Sequence, residues 1–162
     1  ITDVTLVFTN QSDSTVIKAR AEDKDGPGTG ELEVLDTITL KKNQTYTLTY
    51  EISNELEKPA EDIGEEIAEE ELEHQFFFEF SEVFTSPTGN GNIDKASDSI
   101  NYDKDSNGNN LGLSTVWTTS STSSKGGTFK VVLKHQPDVK TSTSGSTVGD
   151  TDFTLPFVLN ID

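Results

Sequence analysis

Histidine occurs only twice in this chain, at His74 and His135, and the sequence contains neither Cys nor Met. A transition-metal site here would have to be built from imidazole and carboxylate, a donor set that zinc and other first-row ions accept. Carboxylates crowd the approach to the first histidine: Asp62, Glu66 and Glu70 precede His74 at successive four-residue steps. On a helix this spacing puts three carboxylates and an imidazole along one stripe. The candidate set is Glu70, His74 and His135, with Glu66 or Glu73 as a fourth ligand or an orienting partner. The plain alternative is that both histidines are ordinary surface or hydrogen-bonded residues.

A second oxygen-rich segment is Tyr102–Leu113 (YDKDSNGNNLGL), where Asp103, Asp105, Asn107 and Gly108 follow the spacing D-x-D-x-N-G. Calcium takes several hard oxygen ligands, and alternate side chains around a tight glycine turn can supply them. The twelfth loop position, which a helix–loop–helix hand fills with a bidentate acid, is Ser114. That hand is therefore excluded, while a calcium-stabilised loop and a simple Asp/Asn/Gly turn both remain open. Asp23 and Asp25, in Asp23–Gly26 (DKDG), are a shorter version of the same pattern. No nucleophile elbow, glycine-rich phosphate loop or HExxH motif occurs, and no Ser/His/Asp order is recognisable, so we expect no enzyme.

The elements that must position these residues read mostly as strands. Val4, Leu6 and Phe8 share one side of 2–9, and Val16–Arg20 and Leu32–Leu40 are further apolar-patterned segments. In Gln44–Ser53, Tyr46, Leu48, Tyr50 and Ile52 alternate strictly with polar residues, the period of a half-buried strand. Strand character returns at Gln75–Val83, Leu111–Thr118, Thr128–His135 and Asp152–Ile161. Pro156 in the last of these predicts an edge position or a bulge. Between the strand groups, Pro59, the acids that follow it and good helix formers predict one inserted acidic helix over about 60–74. The 162 residues fit a single domain, a mainly β, antiparallel Greek-key or Ig-like β-sandwich of about eight strands.

The charge has a location as well as a size. Of the net −17, the window Glu51–Glu82 carries −12, from thirteen acids and one base, Lys58. Nucleic acid is an unsuitable partner for such a chain, which has no concentrated basic patch. No apolar stretch approaches the roughly 20 residues of a membrane-spanning helix.

The segments Pro59–Phe78 (PAEDIGEEIAEEELEHQFFF), Tyr102–Leu113, Leu133–Pro137 (LKHQP) and Gly149–Phe153 (GDTDF) follow in an order that resembles small cell-envelope lipoproteins of marine and environmental Bacteroidetes. These flavobacterial proteins are often labelled as a type 1 periplasmic binding fold superfamily. The resemblance implies an exported, periplasmic or outer-membrane-anchored protein, made with a lipidated Cys and a polar tether ahead of Ile1. The label names a two-lobed α/β fold, whereas the strand pattern favours the β-sandwich. Three functions stay in view. A binding module for a divalent metal (zinc or another first-row ion, with calcium in the 103–108 loop) leads. An interaction module would dock an outer-membrane receptor or other envelope protein through the acidic helix. A binder of an apolar or carbohydrate ligand would use exposed members of Phe76–Phe80 and Trp117.

Overall fold

Alternation dictates the first sheet. In β1 (Asp3–Asn10) Val4, Leu6 and Phe8 are fully buried, and the residues between them are half-buried. β1 lies antiparallel between β2 (Val16–Glu22) and β5 (Thr45–Asn54), with Val7 opposite Lys18 on one side and Thr49 on the other. The computed structural model describes residues 1–23, 31–81, 84–86, 92–93 and 101–162. Among these, the sheet continues beyond β2 to β3 (Glu33–Val34) and beyond β5 to β11 (Asn110–Thr119) and β10 (Tyr102–Lys104). Short strands β6 (Glu61–Asp62) and β8 (Phe84–Ser86) attach to β5 and β11.

The second sheet has the order β4 (Ile38–Leu40), β13 (Asp150–Ile161), β12 (Ser124–His135), β7 (His74–Phe80), β9 (Asn92–Ile93). Its pairs are antiparallel except β4 with β13. The sheets meet through aromatic side chains. Trp117 and Phe8 of the first sheet pack edge-on against Phe129 of the second, at 4.8 and 5.7 Å between ring centres, and Phe78 meets Trp117 at 5.0 Å. Among the described residues the fold is a mainly β sandwich with one short helix, not a two-lobed α/β protein.

Several expectations change in detail. Leu32–Leu40 is two strands rather than one: Val34 pairs with Ala21 in the first sheet, while Ile38–Leu40 run parallel to Leu159–Ile161 in the second. The crossing between them is pinned by Asp36, which accepts a 2.8 Å hydrogen bond from Arg20 Nε. The additional strands are two or three residues long, too short for a period to show in sequence. Pro156 lies in β13, which is not an edge strand. It faces Lys130 on β12, while β4 covers only Leu159–Ile161, so its missing N–H falls beside a stretch that β4 does not pair.

Phe76, Phe77, Phe78 and Phe80 are all buried, as is Trp117. These rings are core residues and offer no exposed face to an apolar or carbohydrate ligand.

The helix is also shorter than expected. α1 spans Ile63–Glu69, with Asp62 as N-cap accepting from the Glu65 amide at 3.1 Å. Its last turn has no basic residue, and carboxylates there oppose the helix dipole and one another, so an early end is reasonable. Ile67 is its buried anchor against the sandwich.

Candidate metal centre

His74 therefore begins a strand instead of ending a helix. His135 is the last residue of the neighbouring strand, and the antiparallel register sets the two directly opposite one another. Their rings stack with centres 4.7 Å apart and planes 13° from parallel. A shared site required the two to be neighbours, and the register of β7 on β12 makes them so.

The four residues 70–73 between α1 and β7 form the turn that delivers Glu70 and Glu73. The Glu70 amide donates to the Glu66 carbonyl, and the Glu73 amide donates to the Glu70 carbonyl, both at 2.9 Å. The Gln136 amide, one residue beyond β12, then donates to the Glu73 carbonyl. This turn is thus tied to the end of the strand that carries His135.

Each imidazole is fixed through one nitrogen. His74 Nδ1 lies 3.2 Å from the Glu70 carbonyl oxygen, and 3.9 Å from Glu70 Oε2. His135 Nε2 lies 3.1 Å from Glu73 Oε2. Carbonyl and carboxylate oxygens only accept, so in the neutral rings the proton sits on His74 Nδ1 and His135 Nε2. The lone pairs are then on His74 Nε2 and His135 Nδ1. Carboxylate or carbonyl on one nitrogen and an ion on the other is the usual arrangement of a metal-ligating histidine.

Ligand atoms of Glu70, His74 and His135 all lie within 4.8 Å of one another, and no other trio of this kind converges among the described residues. Ligands of a tetrahedral ion at about 2.0–2.2 Å lie closer together than this, so the side chains would have to close inward to hold one. They have room to do so. The residues line a cleft of ≈ 350 Å³, walled by Ile63, Ile67 and Leu133 and reached by Glu66. His74 is nearly buried, its side chain 9% exposed, whereas Glu70 and Glu73 are about half exposed, at 49% and 45%.

Asp152 joins this cleft, and nothing in its sequence setting announced it. Its Oδ2 is 3.8 Å from His74 Nε2. Burial pushes its carboxyl above the usual carboxylate range, an effect opposed by the nearby His74, His135 and Lys134. The cause of its placement is a change of register: Leu133 faces Phe153, but the next residue, Lys134, faces Thr151. Asp152 is the extra residue of a bulge, a device that re-aims one side chain of a strand.

The Asp/Asn loop is organised differently. Asp105 Oδ1 accepts from the Asn107 and Asn109 amides at 3.0 and 2.8 Å, and Oδ2 is 2.9 Å from Lys140 Nζ. Both side chains of this ion pair are buried, 1% exposed for Lys140 and 0% for Asp105. Burial raises the Asp105 pKa less than Lys140 and the amides lower it, so the carboxylate is held below its usual range. Asp103 Oδ1 accepts from the Gly112 amide at 2.7 Å, and burial pushes its carboxyl up. Asn107 is exposed. The cation paired with Asp105 is one the protein itself supplies. Asp23 is described and Asp25 lies outside the described residues.

No protein-family model matches the chain, and no curated protein or solved structure matches it at a significant level.

Proposed function

We propose that this domain is a non-enzymatic binding module for one divalent first-row metal ion, zinc being the reference case. The observation that carries the proposal is the convergence of Glu70, His74 and His135, whose ligand atoms lie within 4.8 Å of one another. Glu73 then orients His135 and Glu66 rims the cleft. The fold has a complete aromatic core apart from this site, so the ion is carried by the domain and does not staple it together. One wall of the cleft is half exposed, which suits an ion that exchanges with solvent or a partner. The resemblance of its segments to envelope lipoproteins supports reading this as the role of an exported, lipid-tethered protein.

Calorimetry with zinc tests this reading. We expect one ion per chain, binding at least ~100-fold weaker in His74→Ala and His135→Ala, and about 10- to 100-fold weaker when the orienting carboxylate is removed in Glu73→Gln. Absence of zinc, copper or nickel binding by the wild-type protein sinks the proposal.

A second reading is favoured by one feature. Glu61, Glu65, Glu66, Glu69 and Glu70 are all exposed on α1 and its flanks, a face suited to docking a basic surface of an envelope receptor. A salt-dependent complex that forms equally with His74→Ala would support docking without metal.

A further inference from the structure

The buried pair of Lys140 and Asp105 has the parts of a bond-forming site. Lys140 Nζ lies 2.9 Å from Asp105 Oδ2, with the two side chains 1% and 0% exposed. The approach is not aligned as a hydrogen bond, and Oδ2 has no hydrogen-bond partner among the described residues. The other carboxyl oxygen, Oδ1, accepts from the Asn107 and Asn109 amides at 3.0 and 2.8 Å. Two fixed amide donors on one oxygen stabilise the charge that builds there when a nucleophile adds to the carboxyl carbon. The nucleophile is held in place as well, because Lys140 Nζ donates to the Glu71 carbonyl at 2.6 Å. Burial lowers the Lys140 pKa, which favours the neutral, nucleophilic amine. Burial also pushes up the carboxyl of Asp103, which is near enough to feel the Lys140 charge.

We infer that Lys140 and Asp105 condense slowly to an intramolecular amide once the chain has folded. A proton passes from the ammonium to the carboxylate, giving the neutral amine and acid and relieving the desolvation of two charges. Nζ then adds to the Asp105 carboxyl carbon, Cγ, and the developing negative charge falls on Oδ1, against the Asn107 and Asn109 amides. The Nζ–Cγ bond forms and the Cγ–Oδ2 bond breaks. Oδ2 leaves as water, with two protons that began on the ammonium, so no other reactant is needed. Asp103 is the group that carries a proton from the nitrogen to the leaving oxygen. Asp105 lies in the turn between β10 and β11, and Lys140 in the connection from β12 to β13, so the bond staples the first sheet to the second. It does not depend on the metal-binding reading above.

Intact-mass measurement on the denatured wild-type protein tests this. We expect a species lighter than the sequence mass by one water, growing as the folded protein is incubated. Tryptic digestion should yield a branched peptide joining Lys140 to Asp105. Lys140→Arg keeps the cation beside Asp105 and should show neither change. Asp105→Asn presents an amide in place of the acid, and should lose one ammonia instead of water at the same junction. Asp103→Asn should slow bond formation at least ~100-fold. The inference is overturned if the wild type keeps its full mass after prolonged incubation. It is equally overturned if Lys140→Arg also loses water, or if Asp105→Asn loses water and not ammonia. Equal rates in Asp103→Asn and wild type would remove Asp103 as the proton carrier. Melting curves verify that each variant is folded before incubation; should Lys140→Arg not fold, the exchange of water for ammonia in Asp105→Asn decides alone. Stability comparisons of Lys140 and Asp105 variants are made against the unlinked wild-type fraction.

Discussion

Two carboxylate clusters flank the same turn after α1, and they are satisfied in opposite ways. On one side, Glu71 accepts from Lys140 Nζ through its carbonyl, and from the Ser106 amide through its side chain, at 2.6 and 2.8 Å. Lys140 also pairs with Asp105, both side chains out of solvent, so this cluster has its cation built in. On the other side, Glu70, Glu73 and Asp152 surround two imidazoles in an open cleft. The difference teaches that acid-rich sequence has no single structural meaning. Where a lysine is buried beside the acids the cluster is part of the fold, and where two imidazoles stand among them we propose a place for an ion.

The largest effect should come from making the closed cluster resemble the open one. Lys140→Met leaves Asp105 buried without a counter-charge, and should cost about 3–5 kcal/mol in urea unfolding. Adding Asp105→Leu should recover most of that loss, since an apolar pair of similar volume avoids the penalty of an unpaired buried charge. A cost below about 1 kcal/mol for Lys140→Met would mean the pair does not hold this end together.

The converse is to give the open cluster its cation. Zinc at 100 times its dissociation constant should stabilise the wild type by about 2.7 kcal/mol, read as a rise in Tm, and should leave the Tm of His74→Ala where it was. Excess chelator should return the loaded protein to the metal-free melt without unfolding it. The same chelator should have no effect through Asp103 and Asp105, because Lys140 already pairs with Asp105.

A smaller effect concerns the backbone that frames the histidines. Gly149 has φ +76°, and a Cβ there would lie 2.2 Å from the His135 carbonyl oxygen. Gly149→Ala should cost more than about 1 kcal/mol and weaken zinc binding with it. If stability falls and zinc affinity does not, the close contact belongs to the fold alone.

The smallest effect is expected at Asp103. Burial raises its folded pKa above the unfolded value, so between those two values the folded state binds more protons. Stability therefore falls as pH rises through that window, and the penalty persists at neutral pH. Asp103→Asn removes the charge and keeps an oxygen for the Gly112 amide. It should be neutral or stabilising by under about 1 kcal/mol at pH 7, with the gain disappearing at acid pH. A clear loss at pH 7 would show that the ionised carboxylate is needed.

Much of the sandwich was legible before any coordinates. The alternation of Val4, Leu6 and Phe8, and that of Tyr46, Leu48 and Ile52, specifies which side of each strand is buried, because side chains on a strand point alternately to opposite faces. The charge-rich helix was legible too, though not its end. Four-residue spacing from Asp62 to His74 describes a helix only if the chain stays helical, and repulsion among its acids with an unfavourable dipole acts against that. Glu70 and His74 meet nonetheless, through a turn and a strand start that no helical period describes.

The sequence by itself therefore determined composition-level chemistry. With no Cys and two His, a metal site must use imidazole and carboxylate, and with apolar alternation the chain must form half-buried strands. Only the tertiary structure decided which groups meet. His74 faces His135 because β7 and β12 pair in one register, and Asp152 joins them because the neighbouring β12–β13 ladder carries a bulge on β13. Register and bulges are set by the simultaneous packing of all strands against a common core, and that is a property of contacts between distant residues.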